Sequence, residues 1–508
     1  MIHISLERSS SVPLVQQIRQ RLSQLVHSGI LTPGVKLPST RELASTLRVN
    51  RTTVSAAYDA LTNEGLLVSH VGQGTFVAPQ DGLFPAPAPS LRAVPSFDWS
   101  ALFSKASHLI ASDMRGTEMA GVATGPGVIS FAGGVPDSDL FPTNSFRQVL
   151  NKVVKTEGAE LLQYAPLGGY LPLRRFLSAY LLRFGIQARA DEILIVNGSQ
   201  QGFDLIARTL LDSSDSVAIE QPTYPRAIQL FRSTGAHLFP ITFGQDGLLL
   251  SQLERLLERQ TPKLLYCQSS AHNPTGLSMD AASRRALIAL ANRHHFPLVE
   301  DGFDGGFYYG DPPAPPLKAQ DPQGLVIYIG TFSKTLFPGL RLGWIVASPP
   351  LMERLQAAKQ LSDIHTSPLI QAAVYHFCQR RLLERHVLRV APEYGRRRAK
   401  LLSALDREMP HETSWTKPHG GFSLLVTLPA GIDSAELLPL AHGRGVSFTP
   451  GRVFFANGGG ERHLRLSFSA VPTGKIEEGV RRLARAIRES MHRPARTSAA
   501  DQLAVPLV

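Results

Sequence analysis

The chain has 508 residues, 43% of them hydrophobic and 18% charged, an ordinary globular composition that excludes a disordered or fibrous protein. Lys and Arg exceed Asp and Glu by 11, which is compatible with a polyanionic partner without specifying one. The two cysteines, Cys267 and Cys378, can build neither a disulfide framework nor a cysteine-type zinc site, so no metal centre is expected. The sequence shows neither an apolar run of membrane-spanning length nor a leader pattern in MIHISLERSS, and the expectation is a cytoplasmic protein without a membrane partner.

In chain order, Leu14, Ile18, Leu22, Leu25 and Val26 recur at helical spacing behind Pro13 and predict a first helix ending by Gly29. Ser39–Glu42 reads STRE, a capping box that opens a second short helix with Leu43, Ala44 and Leu47 inward. Asn50 caps a third helix, with Val54, Ala57, Tyr58 and Leu61 inward and Gly65 at its end. LLVSHVGQGTFVA then predicts two short strands around a Gly72-Gln73-Gly74 turn. Residues 1–78 are thus expected to form a winged helix-turn-helix, mainly α with a small β wing. Arg41, Arg51, Thr52 and Ser55 lie on the outward face, as donors suited to base edges and phosphates or as plain solvated groups.

From Pro79 to Pro95 five prolines interrupt any hydrophobic period, and residues 79–125 read as a proline-rich linker. Beyond it, residues 126–492 alternate buried apolar runs (EILIV, DSVAIE, KLLYC, FPLVED, GLVIYIG) with amphipathic helical stretches, which predicts an α/β fold with a mostly parallel sheet. Residues 493–508 read as a flexible tail. In such a sheet ligands sit at the carboxyl ends of the strands. There Asn197-Gly198-Ser199-Gln200 opens a helix and offers N–H groups and a hydroxyl to a phosphate. Asp301 ends a strand, where it can pair with a protonated ring nitrogen or simply cap the strand. YIGTFSKTLFPGLRLG places Ser333, Lys334 and Arg341 in one loop, where a lysine held among apolar groups and beside a cation has a lowered pKa.

The stretch from Pro13 to Val77, with GVKLPSTRELA, NRTTV and GQGTFV, resembles GntR-type transcription regulators. That resemblance implies DNA contacts by Arg41, Arg51 and Thr53, and close approach of the wing backbone to phosphates at Gly72 and Gly74. From about Ser130 onward the chain resembles class I aminotransferases, fold-type I pyridoxal 5'-phosphate proteins with a large and a small domain. The resemblance makes Lys334 the residue bonded to the cofactor as an internal aldimine, with Ser199, Gln200, Ser333 and Arg341 on its phosphate. It makes Asp301 the partner of the ring nitrogen, Tyr224 the stacking aromatic and Asn273 of AHNPTG the ligand of the ring 3-oxygen. Tyr164 would reach the phosphate of a neighbouring subunit in a domain-swapped homodimer. Arg465 of LRLSFS would clamp an amino acid's carboxylate, with Gly133 and Gly134 in the loop that closes over it. A head, linker and body of these kinds together resemble the MocR subfamily of regulators. The resemblance implies a DNA-binding regulator that senses an amino acid or related amine by external aldimine formation at Lys334. An active aminotransferase with an autoregulatory head, or a sensor of cofactor supply, are the alternatives.

Two features depart from the pattern. Where such regulators read DDYD, this chain has Asp301-Gly302-Phe303-Asp304 and so lacks a tyrosine hydroxyl for the 3-oxygen. Arg380–Lys400 holds eight basic residues against two acidic ones, either a solvated helix face or a track for DNA.

Overall fold

A computed structural model describes residues 12–47, 49–70, 74–78, 99–118, 127–302 and 306–492. The chain forms two compact units, Met1–Ala101 and Leu102–Val508. Arg48, Gly72, Phe303 and the expected tail lie outside the described residues.

In the first unit, α1 (Leu14–His27), α2 (Thr40–Leu47) and α3 (Arg51–Asn63) are followed by β1 (Leu67–His70) and β2 (Gly74–Val77). The inward residues expected on α3 make its core, with Val54 and Ala57 at 0% exposure beside Ile18 and Leu22 of α1. The capping box forms as the sequence implies: Ser39 N–H donates to Glu42 at 2.9 Å and Glu42 N–H donates to the Ser39 hydroxyl at 3.2 Å. Asn50 caps α3 by accepting from Thr52 N–H at 3.0 Å and from the Thr52 hydroxyl at 2.9 Å. Pairing of β1 with β2 is antiparallel, from Leu67 opposite Val77 to His70 opposite Gly74, which is the wing.

The second unit opens with α4 (Lys105–Glu118). This corrects the expectation of a linker through residue 125. The prolines end at Pro95, so every residue of 105–118 keeps an N–H for helical bonding; the Ser104 hydroxyl accepts from Ser107 N–H at 3.1 Å at its start. After β3 (Ile129–Ser130), α5 (Thr143–Leu161) and α6 (Leu171–Leu181) come the alternating elements: β4 (Ile193–Val196), α7 (Ser199–Leu210), β5 (Ser216–Gln221), α8 (Pro225–Ser233), β6 (His237–Thr242) and α9 (Leu250–Leu257). They continue as β7 (Leu264–Cys267), α10 (Ala281–His294), β8 (Leu298–Gly302), β9 (Val326–Thr331) and β10 (Gly343–Val346). These strands form one sheet in the order β4-β10-β9-β8-β7-β5-β6, with β10 alone antiparallel to its neighbours. Successive residues of β4 face opposite ways: Leu194 and Val196 pack with α7 and α8, and Ile193 and Ile195 pack with α5 and α6. Both faces are covered, which is why the strands read as unbroken apolar runs.

Helices α11 (Pro349–Asp363) and α12 (Pro368–Gln379) lead into α13 (Leu382–Glu408) and the small domain. There β11 (Ser414–Trp415), β12 (Ser423–Thr427), α14 (Ser434–Gly443), β13 (Val446–Ser447), β14 (Thr449–Pro450), β15 (His463–Ser467) and α15 (Ile476–Met491) follow. An antiparallel sheet β11-β12-β15-β14 shares a core with α13, α14 and α15.

The arginine run on α13 is not one uniform face. Arg397 is buried and bridges Asp137 at 2.7 Å and Glu393 at 2.9 Å, and Arg398 donates to the Pro418 carbonyl and lies over the Tyr309 ring. Arg380, Arg381, Arg385, Arg389 and Arg396 are exposed. Replacing Arg397 with Ala leaves the largely buried Asp137 carboxylate without its cation, while Glu393 keeps Arg396 at 2.6 Å. The denaturant midpoint of the body should fall by the equivalent of about 3–5 kcal/mol, whereas Arg396→Ala should cost about 1 kcal/mol or less. For the head, Asn50→Ala should speed amide exchange over Thr52–Val54 about fivefold, the effect of losing a cap of about 1 kcal/mol.

Candidate cofactor and effector site

The carboxyl ends of β4, β5, β7, β8 and β9 open on a cavity of about 150 Å³, lined by Ser199, Gln200, Tyr224, Asn273, Asp301, Ser333, Lys334, Arg341 and Arg465, with Gly134 above them. The fold thus gathers residues that lie as far apart in sequence as Gly134 and Arg465. Tyr164 does not line this cavity in its own chain: it is 82% exposed, edge-on to His365.

Each side chain is set by the loop that carries it. β4 ends in Asn197 and Gly198, whose φ of +80° turns the chain into α7 with no side chain capping the helix. A Cβ on Gly198 would stand 2.7 Å from the Arg341 guanidinium, so glycine lets that cation lie against the turn. Arg341 donates to the Asn197 carbonyl at 3.2 Å, and the Asn197 side chain donates to Asp363 at 2.5 Å. Asp363 in turn holds the fully buried Lys359 at 2.7 Å. Ser333 is drawn into the same corner by the Thr331 hydroxyl, which accepts from Ser333 N–H at 3.1 Å. Uncapped N–H groups, two hydroxyls and an arginine make a cradle for a phosphate.

Deeper in the cleft, Asp301 is 4% exposed and accepts from the Tyr266 hydroxyl at 2.9 Å. Lys334 Nζ donates to the Gly134 carbonyl at 2.8 Å. Burial, and then the nearby Arg465, bring its pKa down to about 8, with Asp301 acting the other way. Arg465 donates to the Gly133 carbonyl, to Asn273 Oδ1 at 3.0 Å and to the Thr449 hydroxyl at 3.2 Å, and its guanidinium lies 5.1 Å from the Phe454 ring centre. Its Nε has no acceptor among the described residues, and burial lowers its pKa to about 10. Because Arg465 occupies the oxygen of the Asn273 amide, the nitrogen of that amide is left to donate. The Tyr224 hydroxyl is held protonated, chiefly by burial and then by Asp301.

These donors fit pyridoxal phosphate. The Gly198 cradle suits its phosphate, Asp301 its ring nitrogen, Asn273 its 3-oxygen and the neutral form of the Lys334 amine its aldehyde. Thr449, Phe422 and Ser423 also reach the cleft or Arg465 from outside any motif of the sequence, and Thr331 does so from within GTFSKTLFPGLRLG. In the head, Arg41 and Arg51 are exposed, Thr53 and Ser55 are half-buried, and the Thr52 hydroxyl is already engaged by Asn50. Gly74 begins β2 with a φ of +113°.

Comparison with known proteins agrees with this geometry. Residues 14–77 match the gntR family of bacterial regulatory proteins, and residues 126–483 match aminotransferase class I and II. The HTH-type transcriptional regulator TauR of Rhodobacter capsulatus is 31% identical, covering 93% of this chain and 96% of its own. The probable rhizopine catabolism regulatory protein MocR of Rhizobium meliloti is 29% identical, covering 94% of each. The multiple substrate aminotransferase of Thermococcus profundus superimposes with a TM-score of 0.74 at 37% identity, over 78% of this chain and all of its own. The chain therefore belongs to the MocR-type GntR regulators, in which a DNA-binding head is joined to an aminotransferase class I and II body built for pyridoxal phosphate.

Proposed function

We propose that this regulator works as a cytoplasmic homodimer that senses a small compound bearing a primary amine and a carboxylate, and reports it to operator DNA. One observation carries the reading: Lys334 and Arg465 share a cleft and hold the adjacent carbonyls of Gly134 and Gly133. Bound pyridoxal phosphate supplies an aldehyde that condenses reversibly with primary amines and a ring that withdraws electrons. The residues around it then have separable tasks. Ser199, Gln200, Ser333 and Arg341 hold the phosphate, Tyr224 covers the ring, and Asp301 and Asn273 fix its polar atoms. Lys334 would be the amine that holds the cofactor, and Arg465 would exchange the Gly133 carbonyl for the ligand's carboxylate. The loop holding Gly133 and Gly134 is thereby released, and the head responds only insofar as the ligand prefers one arrangement of the dimer. Arg41, Arg51, Thr53 and Ser55, with the wing glycines, are the DNA contacts in this reading.

Homodimer formation is supported by exposed apolar side chains on α11 and at the end of α5. Leu361 is 92% exposed and Leu162 72%, next to Tyr164. A second copy that covers them would bring its own Tyr164 to the phosphate cradle.

A working transaminase is the second reading, favoured by the retention of Asn273, Asp301, Lys334 and Arg465 in one cleft. One experiment separates the two: amino acids are added singly to the holoprotein while its visible spectrum, 2-oxo acid release and binding to the DNA flanking its own gene are followed. For a sensor, one ligand shifts the band and the DNA affinity without oxo acid appearing, and Arg465→Ala weakens that ligand about 100-fold. Oxo acid accumulating over many turnovers, with DNA affinity unchanged, would make the body an enzyme.

The lowered pKa of Lys334 carries its own prediction. Below pH 8 the amine is mostly protonated and cannot attack, so capture of pyridoxal phosphate by the cofactor-free protein should accelerate as pH rises through about 8 and level off above it. Stopped-flow absorbance checks this, and Lys334→Ala should form no protein-linked visible band at any pH.

A further inference from the structure

Behind the cleft runs a chain of buried hydrogen bonds that joins the two residues assigned to the cofactor ring. Gln268 Oε1 accepts from the backbone N–H of Asn273 at 2.6 Å. Gln268 Nε2 donates to Tyr266 Oη at 2.9 Å, and Tyr266 Oη donates to Asp301 Oδ2 at 2.9 Å. The backbone N–H of Gln268 donates to Glu220 Oε2 at 2.9 Å, and Glu220 Oε1 accepts from the Thr223 hydroxyl at 2.9 Å. Glu220, Tyr266 and Gln268 have no solvent exposure. The Tyr266 ring is wedged against Phe203 and Phe231.

The direction of every bond in this chain is forced. A backbone N–H can only donate, so the Asn273 amide obliges Gln268 to present its oxygen there and its NH2 to Tyr266. Tyr266 Oη, accepting from Gln268, has one hydrogen left, and Asp301 takes it. We propose that Gln268 and Tyr266 are positioning residues of the cofactor site, a relay that fixes Asn273 and Asp301 relative to each other and keeps Asp301 an ionised acceptor for the ring nitrogen. The inference rests on the cleft being the pyridoxal phosphate site. The charged or titratable groups facing the relay are Glu220 with His272 at 3.3 Å from it, Asp301 itself, and Lys334 and Arg465 across the cleft. In these surroundings a buried carboxylate keeps its charge only where donors meet it. Burial, with Asp301 and Glu220 close by, raises the Tyr266 pKa well above its ordinary value, so its hydroxyl remains a donor at working pH.

Two isosteric variants test the relay in the full-length holoprotein, read by cofactor affinity and by the pH midpoint of the visible band. Tyr266→Phe keeps the packing and removes the donor to Asp301. Gln268→Glu keeps an acceptor for Asn273 but replaces the NH2 with an oxygen, which draws the Tyr266 hydrogen away from Asp301. Both therefore leave Asp301 less ionised and the ring nitrogen less protonated, so the ring withdraws less charge and the midpoint moves to higher pH. Cofactor affinity should fall about tenfold in each, the size expected for one hydrogen bond to a charged group. A purely structural role would lower the melting temperature and leave midpoint and affinity at their wild-type values, which overturns the proposal. A shift in Tyr266→Phe without one in Gln268→Glu overturns the relay as a unit. If the unaltered protein develops no visible band with pyridoxal phosphate, it is the cofactor reading that fails.

Discussion

Two cations in one dry cleft need acceptors, and the backbone of a single loop supplies them. Arg465 and Lys334 donate to Gly133 and Gly134, and both bonds are made where burial lowers the proton affinity of the donor. The same loop is pinned to the small domain on its far side. Ser467 N–H donates to the Phe131 carbonyl at 2.8 Å, the Ser469 hydroxyl donates to Val135, and Asp137 sits on Arg397 of α13. A ligand's carboxylate would compete with the Gly133 carbonyl for Arg465, whereas its amine, a donor like Lys334, would not compete with the Gly134 carbonyl. The Gly133 bond is therefore the one a carboxylate-bearing ligand contests, which gives the proposed effector site a physical basis for discriminating amino acids from simple amines.

The remainder of the body serves to bring strand ends to that loop. Five strands deliver Ser199, Tyr224, Asn273, Asp301 and Lys334 at one edge of the sheet because parallel neighbours all finish on the same side. The antiparallel β10 has a different use: it turns the chain back after Lys334 so that Arg341, a few residues on, meets the Gly198 turn from the opposite strand. Lys359 and Asp363 brace this corner from beneath through Asn197. A buried lysine is costly unless paired, and its side chain here meets Asp363, Gln201 and Thr366. The Gly198 turn is thereby fixed by the protein's own side chains.

Much of this was legible in the sequence wherever neighbours in the chain are neighbours in the site. GTFSKTLFPGLRLG and AHNPTG carry several ligands on single loops, and the head's caps and inward faces follow from local periodicity. What escaped was non-local. Tyr266 reads as one more residue of a buried apolar strand, and only the fold shows its hydroxyl on Asp301. Gln268 has no motif at all. Arg397 and Arg396 look alike in a basic run, yet one is locked between two carboxylates and the other faces solvent. Residues 105–118 were absorbed into a proline-rich stretch because composition was averaged across a boundary that the last proline marks.

Phe303 gives the relay its weight. The resemblance to MocR-type regulators leads one to expect a tyrosine here, and this chain instead has a residue without a hydroxyl for a 3-oxygen. The donor that remains for that oxygen is the Asn273 amide, whose oxygen Arg465 engages and whose backbone N–H Gln268 engages. Asn273 therefore stands between Arg465, the proposed carboxylate clamp, and Asp301, the proposed ring-nitrogen partner. In the proposed sensor, Arg465 turning to a carboxylate would free the Asn273 side-chain oxygen, while Gln268 keeps its hold on the backbone N–H of the same residue. The proposed effector clamp and ring-nitrogen partner would thus meet at one residue through separate groups, so the Asn273 side chain can answer to the ligand while its backbone stays fixed to the relay.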